Sequence, residues 1–94
     1  MIELTEETYK QETATGKVLV DFYAPWCGVC KMLKPKVEEL AKNAPGYAFY
    51  SVDVDKYPQL AVKYNIANLP TLLVLEDGKE IKRGTFDVLA ELEK

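Results

Sequence analysis

With 94 residues, 48% of them hydrophobic and 29% charged, the chain has the size and balance of one globular unit, too polar for a membrane protein and too apolar for a disordered one. A chain of this size buries roughly 64% of its extended surface on folding, enough for one core that needs no disulfide staples. Fifteen acids against twelve bases leave a net charge of -3 with the lysines scattered, which argues against a nucleic-acid partner, and the absence of histidine removes Ser-His-Asp and Cys-His catalysis and the commonest metal ligand.

Met1 to Glu7 carries neither the basic region nor the apolar run of a secretory leader, so a cytosolic setting is expected. Ile2 to Leu4 reads as a short edge strand. Thr5 caps a first helix with Glu6 and Glu7 in its opening turn, where acids suit the positive end of the helix dipole, and Gly16 closes the segment. Lys17 to Tyr23 is a nearly continuous apolar run rich in β-branched and aromatic residues, as in a central strand buried on both faces. Its core, Val18-Leu19-Val20, is far too short to span a bilayer, as is Leu72 to Leu75.

From Cys27 to Ala44 the residues Leu33, Val37, Leu40, Ala41 and Ala44 recur at helical spacing between lysines and glutamates, which predicts a long amphipathic helix. Pro35 lies inside it, lacks an amide proton and crowds the carbonyl of Lys31, so a kink is expected there. Tyr47 to Asp53 is the next strand. Pro58 opens a short helix through Tyr64, Asn65 gives it a left-handed ending, and Pro70 leads into the strand Thr71 to Leu75. Asp77-Gly78 is a hairpin turn into Lys79 to Arg83, and after Gly84 the spacing of Phe86, Val88, Leu89 and Leu92 gives a final amphipathic helix. Strands alternating with helices predict parallel pairing with right-handed crossovers, the hairpin adding an antiparallel edge. No linker, repeat or low-complexity stretch divides residues 1–94, so one domain is expected.

Both cysteines fall in Trp26-Cys27-Gly28-Val29-Cys30, between a buried strand and the first turn of a helix. Free amides and the helix dipole stabilise an anion there, so Cys27 should form its thiolate more readily than a free cysteine. Cys30, one turn inside, should be the less exposed thiol. At this spacing the sulfurs can meet, so Cys27 can attack a substrate disulfide and Cys30 can resolve the mixed disulfide. A zinc or iron-sulfur half-site would need four ligands, hence two chains, because no further cysteine is present. A purely structural disulfide would close too short a loop to matter and would not persist in the cytosol.

Val20 to Lys31 as a whole resembles the active-site stretch of the thioredoxin family, and the likeness continues along essentially the whole chain. Pro35 matches the proline of the family's active-site helix, Asp53-Val54-Asp55 the end of its third strand, Leu69-Pro70-Thr71 its cis-proline loop, and Gly78 and Gly84 its hairpin and last-strand glycines. The resemblance implies an α/β fold, a central mixed sheet of four to five strands flanked by helices on both faces. It also implies a monomer with no bound cofactor, whose redox-active Cys27-Cys30 disulfide is reduced by an external reductase, either NADPH-dependent through a flavoprotein or ferredoxin-dependent. The partners it implies are disulfide-containing client proteins.

Asp21 interrupts the most apolar strand, where an unpaired carboxylate is costly and tends to take up a proton; the alternative is an ordinary solvated acid at a sheet edge. The resemblance places it beneath Cys30 as a proton relay. It also reverses the trans preference of most X-Pro bonds at Pro70, and sets Leu69 with Ala67-Asn68 against the cysteines as a surface where an extended substrate pairs. Trp26, an amphipathic ring flanking the nucleophile, is either core or docking rim. By analogy Ala24, Pro25, Gly28, Val29, Leu69 and Gly84 complete a flat apolar patch, although Gly84 serves equally well as a turn glycine. Lys31 either raises the local positive potential or is a solvated surface lysine.

Two positions depart from the family's pattern. Val29 replaces its usual proline and supplies an amide proton that can be aimed at the Cys27 thiolate, which predicts a couple more oxidising than the roughly -270 mV of thioredoxin. Ser51 stands where many members carry a lysine near the buried aspartate, which predicts a still higher pKa for Asp21. The expected function is a thiol-disulfide oxidoreductase that reduces protein disulfides. The alternatives are an oxidase or isomerase of the same fold, and a redox-independent binding module.

Overall fold

The computed structural model describes residues 1–93. Along the chain run β1 (Ile2–Glu3), α1 (Glu6–Thr13), β2 (Lys17–Tyr23), α2 (Gly28–Asn43), β3 (Tyr47–Asp53), α3 (Pro58–Lys63), β4 (Thr71–Glu76), β5 (Lys79–Gly84) and α4 (Phe86–Leu92). The five strands form one mixed sheet in the order β1-β3-β2-β4-β5. The apolar run of β2 therefore lies at its centre, paired parallel with β3 and antiparallel with β4.

The direction of β4 corrects one part of the expectation, that strands joined through helices pair in parallel and only the hairpin is antiparallel. The six residues of α3 span only ~9 Å at 1.5 Å per residue, whereas a seven-residue strand such as β3 covers ~23 Å. The chain therefore does not return to the far end of the sheet. It enters β4 beside the C-terminal end of β2, where Phe22 pairs with Thr71, and runs backwards along that strand. The Asp77-Gly78 turn, with both residues at positive φ (51° and 83°), then sends β5 back alongside β4.

Helices cover both faces. Val18, Val20 and Phe22 of β2 pack with Tyr9 of α1 and Leu60 of α3, while Leu19 packs with Leu33, Val37 and Leu40 of α2 and with Val88 and Leu89 of α4. Because side chains alternate along a strand, Asp21 lies two residues beyond Leu19 on the α2 side of the sheet. The Thr5 cap of α1 is present, its hydroxyl accepting from the Thr8 amide at 3.2 Å while the Thr8 hydroxyl accepts from the Thr5 amide at 2.9 Å. α2 continues through Pro35 and is capped at its start by Cys27.

Candidate active site

Beyond β2, the buried Ala24 leads through Pro25 and Trp26 to Cys27, whose extended backbone (φ -84°, ψ 111°) turns the chain into α2. The Cys27 carbonyl accepts from the Lys31 amide, and Cys27 Sγ accepts from the Cys30 amide at 3.1 Å. The sulfur thus takes the place of a capping oxygen at the positive end of a 16-residue helix. Cys27 and Cys30 form a disulfide with their Cα atoms 5.2 Å apart. Cys27 is 8% exposed and Cys30 3%, so the outer sulfur is the one a substrate meets first.

The amide that reaches Cys27 Sγ belongs to Cys30, and Val29, itself exposed, makes no such bond. Val29 and Cys30 stand two and three residues past the cap, the two amides a capping side chain can reach, and in the disulfide form it is Cys30 that donates.

The Leu69-Pro70 peptide bond is cis. Leu69 packs against Ala24, Cys27 and Cys30, and Pro70 is buried behind it. The Thr85 hydroxyl donates to the Pro70 carbonyl at 3.0 Å, which ties the end of β5 to this loop. Gly84 is thereby beside the loop as well as opposite Leu72 in the sheet.

A Cβ at Gly84 would lie 2.5 Å from Asp87 Oδ1, the oxygen that accepts the Thr85 amide at 2.7 Å. Gly84→Ala is therefore expected to swing Asp87 away and to cost about 1 kcal/mol of stability. Urea melts check it in a cycle with Asp87→Ala. Once Asp87 is gone, alanine at 84 should cost almost nothing, and a full-sized loss in that background would contradict the explanation.

Trp26 is 69% exposed, so it belongs to the rim and not to the core. Its indole N–H donates to Asp55 Oδ2 at 2.9 Å. Asp55 is in turn set by the buried Asp53, whose Oδ1 accepts the Asp55 amide at 2.9 Å and the Lys56 amide at 3.3 Å. Asp55 is the site-supporting residue that sequence reasoning missed. The alternating acids Asp53-Val54-Asp55 were its only trace, and nothing local tells which acid turns inward.

Asp21 is 2% exposed and its Oδ1 has no hydrogen-bond partner. Burial pushes its carboxyl up to about 7, against a smaller pull downward from the Lys34 ammonium. It opens onto a cleft of about 390 Å³ that Cys30, Lys31, Lys34 and Ser51 also line. The structure therefore brings Cys27, Cys30, Asp21 and Leu69-Pro70 together, with Trp26, Gly28 and Val29 on the exposed rim and Gly84 behind the loop.

The family model named Thioredoxin matches residues 1–91. The chain is 42% identical over 81 residues to a thioredoxin of Chlamydia trachomatis serovar D, covering 86% of this chain and 79% of that protein. It is 41% identical over 83 residues to a thioredoxin of Bacillus subtilis strain 168, covering 87% and 80% respectively. The X-ray structure of Fasciola hepatica thioredoxin superposes with a TM-score of 0.85 at 35% identity, over 99% of this chain and 97% of that one. On this fold, this sequence likeness and a cysteine pair at the family's active-site spacing, the chain belongs to the thioredoxin family and is a protein thiol-disulfide oxidoreductase.

Proposed function

We propose that the chain works as a reductant of protein disulfides, with Cys27 attacking, Cys30 resolving and Asp21 carrying the proton between. The observation that supports this most is the asymmetry of the pair: an outer sulfur at a helix cap, and an inner one beside a buried carboxylate. In the reduced protein the Cys27 thiolate attacks one sulfur of the substrate disulfide. A Cys27–substrate S–S bond forms and the first substrate thiolate departs, taking a proton from water. Asp21 then accepts the Cys30 proton, and the Cys30 thiolate attacks Cys27 Sγ, expelling the second substrate thiolate. Two electrons have passed to the substrate, and the protein is left as the Cys27–Cys30 disulfide.

Leu69, next to the cysteines, offers main-chain groups to an extended substrate segment, with Trp26, Gly28 and Val29 as the apolar rim and Gly84 completing its far side. The chain carries no cofactor of its own in this reading. A separate reductase, fed by NADPH or ferredoxin, returns the electrons, and a reducing compartment such as the cytoplasm suits the cycle. Among the described residues no helix is long and apolar enough to cross a membrane.

Redox titration in defined dithiol/disulfide buffers, followed by Trp26 fluorescence and thiol alkylation, tests the direction. A reversible two-electron transition below about -230 mV is expected, and one near -180 mV would make the chain an oxidase or isomerase instead. Absence of any reversible transition would leave only a redox-independent binding role.

A further inference from the structure

Around Asp21 the neighbouring strands bring no cation. Its register partner on β3 is Ser51, a neutral hydroxyl, and its partner on β4 is Leu72. Across the cleft, β1 contributes Glu3, whose carboxylate accepts the Tyr23 hydroxyl at 3.1 Å. Burial, Glu3 and Asp53 hold the proton on the Tyr23 hydroxyl, so this side of the cleft offers no cation. α2 supplies Lys31, Lys34 and Glu38, and Met1 with its α-amino group lies at the margin.

Of these, Lys34 has the geometry for a specific effect. It follows Cys30 by four residues in an unbroken helix, so the two side chains lie on one face, one turn apart. Both line the cleft onto which Asp21 opens, and Lys34 is exposed. Asp21 Oδ1 is buried without a hydrogen-bond partner to hold the carboxylate ionised, so an ammonium across the cleft is felt more strongly than it would be beside a fully satisfied acid.

We propose that Lys34 is a positioning residue for the proton step, its ammonium at the cleft favouring the ionised Asp21 that accepts the Cys30 proton. This rests on the reading of Asp21 as the base. Lys34 touches neither substrate nor sulfur in this account and acts only through Asp21. It thereby sets the pH above which the mixed disulfide is resolved quickly. The downward pull of Lys34 on the Asp21 carboxyl has the required direction. A neutral side chain at 34 raises the pH at which Asp21 ionises, and slows resolution on the acid side.

The test follows the mixed disulfide between Cys27 and glutathione by acid quench and intact mass from pH 5 to 9, with excess glutathione disulfide and the full-length reduced protein. For Lys34→Gln the acid limb should move up by about half a pH unit, a roughly threefold slower resolution at pH 6, from Coulomb attraction across a partly solvated gap. Lys34→Glu should move it about twice as far, and Lys34→Arg should leave it in place. A carboxyl-carbon NMR titration of Asp21 in each variant should shift in step. In an Asp21→Asn background, Lys34→Gln should change nothing.

If Asp21→Asn removes the acid limb while Lys34→Gln leaves it unmoved, the Lys34 proposal fails and the base stands. If the limb survives in Asp21→Asn, the reading of Asp21 itself fails. An equal Lys34→Gln effect with and without Asp21 would show the lysine acting elsewhere, and would also overturn the proposal.

Discussion

Cys27→Ser is expected to lower the rate of disulfide reduction by at least about a thousandfold, because a serine hydroxyl stays protonated at neutral pH and no other thiol is placed to attack. Cys30→Ser should fail differently. Cys27, still at the cap of α2, retains its nucleophilic position and forms the mixed disulfide once, but nothing expels the second substrate thiol. Turnover then stops with the substrate covalently held on Cys27. Intact mass spectrometry after mixing with a disulfide-containing protein separates the two cases: no adduct with Cys27→Ser, and a stoichiometric one with Cys30→Ser. An adduct on the Cys27→Ser protein and none on Cys30→Ser would reverse the assigned roles, and undiminished turnover by Cys27→Ser would overturn them.

The second large effect is on stability. Burial raises the Asp21 carboxyl from 3.8 to about 7 in the folded protein, while in the unfolded chain it returns to the ordinary range. The folded state therefore holds this proton more tightly. Below pH ~4 both states are protonated and Asp21 costs nothing extra, whereas between pH ~4 and ~7 stability falls because the unfolded carboxyl ionises while the folded one keeps its proton, and above pH ~7 the loss levels off. A shift of about three units corresponds to about 4 kcal/mol lost by pH 8, an upper figure because water reaches the cleft. Asp21→Asn keeps a buried polar group whose own cost is the same at every pH, so the pH-dependent part isolates the charge. Urea melts of the oxidised protein at pH 4 and pH 8 should show the variant gaining up to about 4 kcal/mol more at the higher pH. The same difference at both pH values would show that the carboxyl is not held protonated by the fold.

Much of this was legible because the determining features are local. The uninterrupted apolar run of Lys17 to Tyr23 marked the central strand, and an acid inside it marked Asp21 as a group held against its preference. The cysteines at the junction of that strand and a helix marked the redox pair. The direction of β4 was not legible from alternation alone, because it depends on how far α3 carries the chain and not on the residues of β4. Asp55 escaped for a related reason, since its bond to the Trp26 indole joins residues 29 positions apart. Lys34 was passed over as one of several lysines between apolar helix positions, and what distinguishes it is the neutral Ser51 opposite Asp21 across the β2–β3 pairing. The bond from the Cys30 amide to Cys27 Sγ was not legible, because which of the two amides within reach of the cap donates depends on helix geometry.

Whether Cys27 is the attacking sulfur and Cys30 the protected one is read by alkylating the reduced, unmutated protein with a substoichiometric amount of iodoacetamide at pH 7 and mapping the label by peptide mass. Labelling almost entirely at Cys27 is the predicted result, since it is the more exposed sulfur and the one at the helix cap. Equal labelling of the two, or a preference for Cys30, would contradict the account.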